Sequence, residues 1–494
     1  MDFFGDTALN NIIGSFGEAD VAAMAARREK RAAEQRDMLL RNPGCCLVSI
    51  TLNIAGPVKR TGITDRLFFR EATEALNAVA AAEFPIRDGL LIEADTGTEA
   101  LFAVKGDPEK IKAICVGVEE RDAAARLADI DVIGPDGAKS ARPTPRKCLI
   151  CGEDARVCAR SRAHGVPELQ EKTAELIRER IASEAAELAH RALMEEVAVT
   201  PKPGLVDRNN SGANPDMDIE MFRASANALS PYFEEMALAV LTAGQGECPL
   251  FIDGSRFGEK LAAKLRAVGL EAEKAMLAAT GGVNTHRGAI WSIGLMTCAY
   301  AYLAASSPKE GGEDPLSGDP ELLCAAAARF ALLMGDGTLP SSKGSAVRER
   351  FGVGGPVEEA LLGFPSAREA LKKSKEYLDS RSKSSVILTP WAYGLLAIMA
   401  RLSDNNALRR GGEEGARFVR ERAKTLLGLG LEAPTREFLD ALLAFDRELT
   451  EKNISCGGAA DMLAAAIFLD GAENGPDTRR ERFIRSLTEE LCEK

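Results

Sequence analysis

The chain has 494 residues, more than one ordinary core accommodates, so we expect at least two domains. Hydrophobic residues make up 46% and charged residues 28%, a balance that excludes a disordered or fibrous protein. The formal net charge of −12 argues against electrostatic binding of nucleic acid over the whole surface, so we expect no nucleic-acid partner.

Strand and helix signals alternate in the first part of the chain, as far as about Pro167. Apolar runs bounded by Gly and Pro predict strands, and helical periodicity predicts the helices between them. The resulting order βαββαβ is typical of a ferredoxin-like or palm-like sheet in an α/β (α+β) domain. The predicted strands are residues 45–54, 90–94, 101–104 and 128–133, and the predicted helices are residues 64–82 and a segment that begins at Pro108.

The chain after Pro167 consists of long stretches rich in Ala, Leu, Glu and Arg, separated by Gly- and Pro-rich loops. Such stretches predict an all-α domain. We place the boundary inside a long helix near residues 170–172, which gives an α/β domain at 1–172 and a helical domain at 173–494. The predicted helices are residues 168–199, 221–243, 260–279, 286–305, 320–334, 389–402, 415–427, 435–451 and 459–469, and the predicted loops include 306–318 and 407–414.

Cysteine usage and the N-terminal residues predict a cytoplasmic protein. The 11 cysteines are an odd number in a long chain, which is atypical of a secreted disulfide framework. No basic segment precedes an apolar one at the N-terminus, so we expect no signal peptide. The uncharged segment 288–307 has the length of a membrane span, but its small and hydroxylated residues favour a buried helix. We therefore expect no membrane contact.

Asp129 and Asp131 lie two residues apart on the last predicted strand. Residues at this spacing point to one face, so both carboxylates can contact one hard cation while Ile130 faces the core. Paired carboxylates that hold Mg²⁺ against a phosphate are typical of nucleotidyl transfer. Arg126 and Lys59 are nearby candidates for binding phosphate oxygens. The alternative is that both acids are merely solvated near a turn.

Cys148, Cys151, Cys158 and His164 match a structural zinc site in ligand type and number. The alternative is a set of reduced thiols in an irregular segment. Basic residues crowd the same segment, and in an acidic protein they are candidates for docking a polyanion or an acidic partner, or are solvated surface. These residues are Arg142, Arg146, Lys147, Arg156, Arg160 and Arg162.

The runs at residues 47–57 and 126–132, followed by the Cys/Arg/His segment, resemble apo-citrate lyase phosphoribosyl-dephospho-CoA transferase, the holo-acyl-carrier-protein synthase of citrate lyase. The resemblance covers residues 21–170. It implies that a serine of the acyl carrier subunit attacks the α-phosphate of the activated prosthetic group, and that pyrophosphate leaves. Asp129 and Asp131 would hold magnesium in that reaction, and Arg126 would bind a phosphate oxygen.

Five polar, Gly-rich loops precede or interrupt helices of the second domain. Open backbone N–H groups at helix N-termini bind anions without many cationic side chains, which suits an acidic protein that handles triphosphates. A single loop of this kind is commonly only a helix cap or a turn, but five with acids beside them predict a shared polar cleft. The loops are residues 200–207, 209–218, 281–288, 404–412 and 455–458, and the acids are Asp207, Asp216, Asp218, Asp404 and Asp461.

His286 follows Asn284 and Thr285, a predicted helix cap. The imidazole is therefore expected near bound phosphates, where it acts either as an acid or base or as a phosphate contact. His190, inside a long helix, is predicted to be a surface or packing residue.

The loops of the second domain resemble triphosphoribosyl-dephospho-CoA synthase, on residues 195–197, 201–207, 282–286 and 453–455. The resemblance spans residues 185–470. It implies that the ribose 2′-hydroxyl of 3′-dephospho-CoA attacks the anomeric carbon of ATP and that adenine leaves. The candidate catalytic acids are Asp207, Asp404 and Asp461, and the candidate substrate-binding residues are Lys202, Gly204, Asn284, His286, Arg287, Asn406, Gly457 and Gly458.

Together the two resemblances imply a bifunctional transferase that makes and attaches the prosthetic group of citrate lyase. Its partners would be ATP, 3′-dephospho-CoA and the acyl carrier subunit. Three alternatives stay open: maturation of a malonate decarboxylase carrier, an ADP-ribosyl-type glycohydrolase in the second domain, and an assembly factor without catalysis.

Overall fold

The computed structural model describes residues 19–243, 256–305, 319–335, 355–380, 388–430 and 435–474. These residues form two compact units. The first unit contains the described residues up to Arg180, and the second contains nearly all of those from Ile181 to Glu473. The division falls inside one 33-residue helix, Val166–Ala198.

A four-stranded antiparallel sheet forms the centre of the first unit. The elements of the first unit, in chain order, are α1 (Val21–Arg41), β1 (Cys46–Leu52), α2 (Gly62–Ala81), β2 (Ile86–Ala94), β3 (Gly97–Val104), α3 (Pro108–Glu119), β4 (Ala128–Ile133), α4 (Ala155–Ser161) and α5 (Val166–Ala198), which continues into the second unit. The strands lie side by side in the order β2-β3-β1-β4. The predicted strands, the hairpin and the helix from Pro108 are confirmed, whereas α1 and α4 were not predicted.

The sheet separates two apolar cores. On one face, Ala128, Ile130 and Val132 of β4 pack with residues of α2 and α3. On the other face, Leu47 of β1 packs with Met38 of α1. Because side chains alternate along β4, the residues between the three buried ones project towards the α1 side.

Glu99 of β3 fastens α1 to this second face. Its carboxylate is almost fully buried and accepts hydrogen bonds from Arg27 at 2.7 Å and from Arg31. Arg27 also pairs with Glu34 of its own helix. Removing one partner of a buried pair leaves an uncompensated charge, so this cluster fixes the position of α1.

Glu119, at the end of α3, satisfies the edge strand β4. Its Oε1 atom accepts the backbone N–H of Ile130 at 2.8 Å, and Lys112 donates to the Ile130 carbonyl oxygen at 2.5 Å. Glu119 also pairs with Arg142 and Arg146. The edge of the sheet is thereby covered, and the segment that carries the cysteines is held against it.

The described residues of the second unit form helices joined by loops, with no strand among them, as predicted. Two helices, Gly355–Leu361 and Pro365–Ser380, were not predicted, and the predicted loop 306–318 lies outside the described residues. Its elements are α6 (Ile219–Ala243), α7 (Arg256–Ala279), α8 (Arg287–Ala305), α9 (Pro320–Met334), α10 (Gly355–Leu361), α11 (Pro365–Ser380), α12 (Pro390–Arg401), α13 (Asn405–Gly430), α14 (Arg436–Glu451) and α15 (Gly457–Glu473).

The prediction of a loop at 407–414 is wrong. These residues belong to α13, which is interrupted only at Gly412, where φ is 62°. The two consecutive glycines suggested a loop, but Asp404 caps the helix by accepting the N–H groups of Asn406 and Ala407. A capped helix start overrides the weak helix propensity of glycine.

Helix α8 is long and apolar enough to cross a membrane, but 83% of its most apolar 18-residue window is buried within the protein. Tyr300 of this helix contacts Phe468 of α15 edge to face, with ring centroids 6.3 Å apart. The predicted buried helix is therefore confirmed over its described residues.

We expect Glu119→Gln to loosen the segment after β4, because Arg142 and Arg146 would lose their buried anion. The opening free energy of this segment should fall by about 3 kcal/mol. Hydrogen exchange measured by mass spectrometry should show faster exchange in peptides that cover residues 128–148. The neighbouring Glu120→Gln, at a side chain that is 54% exposed, is the control and should leave exchange unchanged. Equal exchange in both variants would contradict this role of Glu119.

Candidate functional sites

Asp129 and Asp131 lie on one face of β4, as their spacing predicts. Their side chains are 44% and 37% exposed, while Ile130 between them is buried. Lys139 Nζ lies 2.5 Å from Asp131 Oδ2, and Arg146 Nη2 lies 3.7 Å from Asp129 Oδ1. The two carboxylates therefore face solvent beside two cations, an arrangement that suits a phosphate-bound metal ion.

The Arg126 guanidinium contacts backbone rather than these carboxylates. It donates to the carbonyl oxygens of Lys147 at 2.9 Å and Cys148 at 3.3 Å. Arg126 therefore supports the start of the cysteine segment. Arg146, which was not among the predicted site residues, is the arginine that lies beside Asp129.

Lys59 lies in the loop that follows β1. Its ammonium group donates to the carbonyl oxygen of Ile54 at 2.6 Å. Burial, together with the nearby Arg28, lowers the pKa of Lys59. The loop starts at the end of β1 where Thr51 pairs with Asp129, so Lys59 and the two acids belong to the same end of the sheet.

The predicted zinc ligands lie together. The candidate ligand atoms of Cys148, Cys151, Cys158 and His164 are all within 4.8 Å of one another. Cys151 Sγ and Cys158 Sγ are 3.5 Å apart. The backbone N–H of Glu153 and the neighbouring His164 lower the pKa of the Cys151 thiol to about 7, so a large fraction is thiolate at neutral pH.

The two nitrogens of the His164 ring have different surroundings. Nδ1 lies 3.5 Å from Glu168 Oε2. Nε2 is buried and has no hydrogen-bond partner among the described residues. In zinc sites, the histidine nitrogen that does not bind the metal commonly donates a hydrogen bond to a carboxylate.

The basic segment divides into paired and exposed residues. Arg142 and Arg146 pair with Glu119, so they are not available as docking cations in this structure. The remaining basic residues of the segment are exposed: Lys147, Arg156, Arg160 and Arg162.

In the second unit, the Gly-rich loops converge. Asn214 Nδ2 donates to Ser455 Oγ at 3.1 Å, and Arg410 Nη2 donates to Asn214 Oδ1 at 2.8 Å. These contacts join the loop 209–218 to the first turns of α13 and to the residues just before α15. Gly204, with φ of +68°, permits a further close approach, because a Cβ atom there would lie 2.7 Å from the Ile454 carbonyl oxygen.

Asp207 and Asp404 use their carboxylates to shape loops. Asp207 accepts the backbone N–H groups of Lys202 at 2.9 Å, Asn209 at 2.6 Å and Asn210 at 3.0 Å. Asp404 accepts the N–H of Ala459 at 2.9 Å in addition to those at the start of α13. Burial raises the pKa of Asp404 above its usual value, although these backbone N–H groups oppose the rise. Both carboxylates therefore hold loops in place through backbone N–H groups, a role that their spacing in the sequence did not indicate.

Lys202 and Glu196 form a buried ion pair. Their side chains are 2% and 4% exposed, and Lys202 Nζ lies 2.6 Å from Glu196 Oε1. Lys202 also donates to the backbone carbonyl oxygen of Glu196 at 3.1 Å. The predicted phosphate-binding lysine is thus held by a carboxylate at the end of α5.

Asp461 connects the loop 281–288 to the start of α15. Its carboxylate accepts the backbone N–H of Ala289 and packs against Gly288, where a Cβ atom would lie 1.9 Å from Asp461 Oδ2. Burial first, and then Glu196 and Asp404, raise the pKa of Asp461 well above its usual range. A carboxyl group whose pKa is raised in this way is a candidate for acid–base chemistry.

The glycines at the start of α15 also permit close contacts. A Cβ atom on Gly457 would lie 2.5 Å from Asn406 Nδ2, and one on Gly458 would lie 2.9 Å from Asp404 Oδ2. The N-termini of α13 and α15 are therefore adjacent, with Asn406 between them.

His286 lies at the start of α8 and is 3% exposed. Its Nδ1 atom is 2.7 Å from Ser225 Oγ. Burial and the nearby Lys202 lower the pKa of His286 to about 3, so the ring is neutral at physiological pH. The predicted cap is present, because Asn284 Oδ1 accepts the N–H of Arg287 at 3.2 Å.

Arg287 and His190 lie outside the buried cluster. The Arg287 side chain is 45% exposed and pairs with Glu273. His190 Nε2 hydrogen-bonds Asn227 at 2.8 Å, and its role as a surface or packing residue is unchanged. Two site residues were not predicted: Glu196, which contacts Lys202, and Ser225, which contacts His286. Glu196 lies in the run 195–197 that carries the family resemblance, whereas no sequence signal marked Ser225.

Comparison with known families divides the chain in two. Residues 19–180 match CitX, apo-citrate lyase phosphoribosyl-dephospho-CoA transferase, and residues 182–480 match CitG, ATP:dephospho-CoA triphosphoribosyl transferase. Protein CitXG of Haemophilus influenzae is 33% identical over 460 residues, which are 90% of this chain and 95% of the relative. The chain belongs to the CitXG family.

Further relatives agree with this assignment. Protein CitXG of Leuconostoc mesenteroides subsp. cremoris is 28% identical over 90% of this chain and 95% of its own length. The 2-(5''-triphosphoribosyl)-3'-dephosphocoenzyme-A synthase of Haemophilus ducreyi is 33% identical over 65% of this chain and 98% of its own length. This chain is therefore a bifunctional transferase that makes and attaches the prosthetic group of citrate lyase.

Proposed function

We propose that Asp461 is the carboxylate that reacts with substrate in the CitG half. In the reaction of this family, the 2′-hydroxyl of 3′-dephospho-CoA must lose a proton as it attacks the anomeric carbon of ATP, and adenine leaves. Asp207 and Asp404 each accept three backbone N–H groups, whereas the contact described for Asp461 is one N–H group, that of Ala289. The raised pKa of Asp461, beside two further carboxylates, supports its role as the base or acid.

The triphosphate of ATP would bind at the adjoining helix starts. Backbone N–H groups at the first turns of α8 and α15 favour negative charge, and the glycines there allow the backbone to approach it closely. The residues that we propose for this contact are Asn284, Arg287, Asn406, Gly457 and Gly458, with Lys202 and Gly204 holding the adjoining loop.

In the CitX half, we propose that Asp129 and Asp131 hold magnesium. Their shared orientation and partial exposure fit a hard cation with phosphate ligands. Such an ion would neutralise charge on the α-phosphate and the departing pyrophosphate. Lys139 would bind a phosphate oxygen beside the carboxylates, while Arg146 stays paired with Glu119 and Lys59 borders the same end of the sheet. The acceptor is a serine of the acyl carrier subunit of citrate lyase.

We propose a structural zinc site at Cys148, Cys151, Cys158 and His164. Three thiols and one imidazole within 4.8 Å fit tetrahedral zinc, and the buried Nε2 atom of His164 is without another partner among the described residues. Four protein ligands leave no open position, so the metal would stabilise the segment and take no part in transfer.

The sheet order and the two family matches support two further assignments. We propose a ferredoxin-like sheet for the CitX half, because β1 lies between β3 and β4 in an antiparallel βαββαβ arrangement. We place the domain boundary inside α5, between the predicted 172/173 and the division at Arg180. A cytoplasmic location is supported by the free thiols of all cysteines in the described residues.

A pair of substitutions tests whether the two sites act separately. We expect Asp461→Asn to lower adenine release from ATP and 3′-dephospho-CoA by at least about 100-fold, because the carboxyl group that accepts or donates the proton is lost. We expect Asp131→Asn to keep adenine release but to lower loading of the acyl carrier by at least about 100-fold, because the metal ligand is lost. Chromatography of adenine and mass spectrometry of the carrier measure the two steps.

Asp440→Asn and Asp136→Asn are the controls, since both carboxylates are exposed and outside the proposed sites. Loss of both activities in Asp131→Asn would contradict separate sites. Adenine release from ATP alone would indicate a glycohydrolase, and loading of a malonate decarboxylase carrier in place of the citrate lyase carrier would contradict the assigned acceptor.

Metal analysis of the full chain should find about one zinc ion per chain. Cys151→Ser should lower the zinc content and weaken protection of residues 147–164 from proteolysis, because one of four ligands is lost. Cys45→Ala, at a buried thiol outside the cluster, should retain zinc. The zinc site would be contradicted if the chain contained no metal and its segment 147–164 were as resistant to protease as in Cys151→Ser.

A further inference from the structure

A chain of three side chains ends at the imidazole of His286. Thr285 Oγ1 donates to Ser225 Oγ at 2.9 Å, and Ser225 Oγ lies 2.7 Å from His286 Nδ1. Ser225 lies on α6 and is fully buried. The hydroxyl groups therefore contact the ring on its Nδ1 side.

The hydrogen bonds of Ser225 Oγ favour one tautomer of the ring. With Thr285 as the donor, Ser225 Oγ accepts a proton, and its own proton is directed to the remaining neighbour. Apart from Thr285 Oγ1, His286 Nδ1 is the only acceptor in contact with that hydroxyl among the described residues. Nδ1 is then an acceptor, and the ring proton resides on Nε2.

The surroundings of the ring keep it neutral. Phe222 of α6 contacts it edge to face at 5.0 Å, and Met276 Sδ of α7 accepts the backbone N–H of His286 at 3.2 Å. The charged group that acts on the ring is Lys202, which opposes a second positive charge. No carboxylate contacts the ring among the described residues. His286 Nε2 is buried and has no hydrogen-bond partner there.

We propose that Ser225 is a positioning residue that fixes His286 as a neutral Nε2–H donor, and that this N–H group donates to an acceptor atom of ATP in triphosphoribosyl transfer. The inference rests on the proposed function of the CitG site. The inference excludes His286 as the acid that protonates the departing adenine. A neutral ring whose Nδ1 atom is bound to Ser225 keeps its proton on Nε2. The proton for adenine must come from another group, such as Asp461.

The tautomer can be observed directly in the full chain, because the sequence contains only 3 histidines. In protein labelled with ¹⁵N-histidine, His286 should show a protonated Nε2 and an unprotonated Nδ1 from pH 6 to pH 8. Ser225→Ala should produce a mixture of both neutral tautomers. A cationic ring at pH 7, or a proton on Nδ1 in the wild-type protein, would overturn the inference.

Two substitutions of His286 test the donor. Gln can place its amide N–H near the position of Nε2, whereas the shorter Asn side chain reaches only the position of Nδ1. We expect His286→Asn to lower kcat/KM for adenine release by at least about tenfold, the effect of one lost hydrogen bond, and His286→Gln to restore most of it. Ser225→Ala should lower kcat/KM by a smaller factor without shifting its pH profile.

Thr242→Ala removes a hydroxyl from the exposed side of the same helix and should change neither the spectrum nor the kinetics. Equal activities of the Gln and Asn variants would contradict the donor role even if Ser225→Ala failed to fold. Inhibition by inorganic tripolyphosphate and by adenosine identifies the part of ATP that accepts this hydrogen bond. The inhibitor that binds less tightly to His286→Asn than to the wild-type chain contains the acceptor atom. An inactive wild-type chain would contradict the proposed function itself, whereas an active chain with the other tautomer contradicts only this inference.

Discussion

The buried ion pair of Lys202 and Glu196 is the constraint on which the CitG site depends. Both side chains are almost without solvent contact, so each charge requires the other. Asp207 fixes the backbone of Lys202, and Lys202 in turn disfavours a charge on His286. Around this pair, Asp207 and Asp404 hold loops by accepting backbone N–H groups. Asp461 adjoins the start of α8.

The CitX half separates structural and chemical carboxylates in the same way. Glu99 and Glu119 are buried among arginines and fix α1 and the cysteine segment against the sheet. Asp129 and Asp131, on the edge strand β4, stay partly exposed beside Lys139 and Arg146. Buried pairs thus provide rigidity, while the solvated pair carries the charge that our proposal for phosphoryl transfer uses.

Sequence reasoning was effective where a pattern has one structural solution. The alternation along β4 fixed the shared face of Asp129 and Asp131, and the ligand types of the cysteine segment anticipated a cluster that the structure brings together. It was less effective for hydrogen-bond partners, which depend on contacts distant in sequence. Asp404 meets Ala459 across 55 residues, and Ser225 meets His286 across 61, so no local spacing could reveal either contact.

The most direct test of this account is the substitution Glu196→Gln, compared with Glu195→Gln at the neighbouring side chain, which is 48% exposed. Both tryptophans, Trp291 and Trp391, belong to the second unit, so urea unfolding followed by their fluorescence reports its stability. We expect Glu196→Gln to lower the free energy of unfolding by about 3 kcal/mol and to abolish adenine release, because Lys202 would remain buried without its anion. Unchanged stability and adenine release in Glu196→Gln would contradict the account.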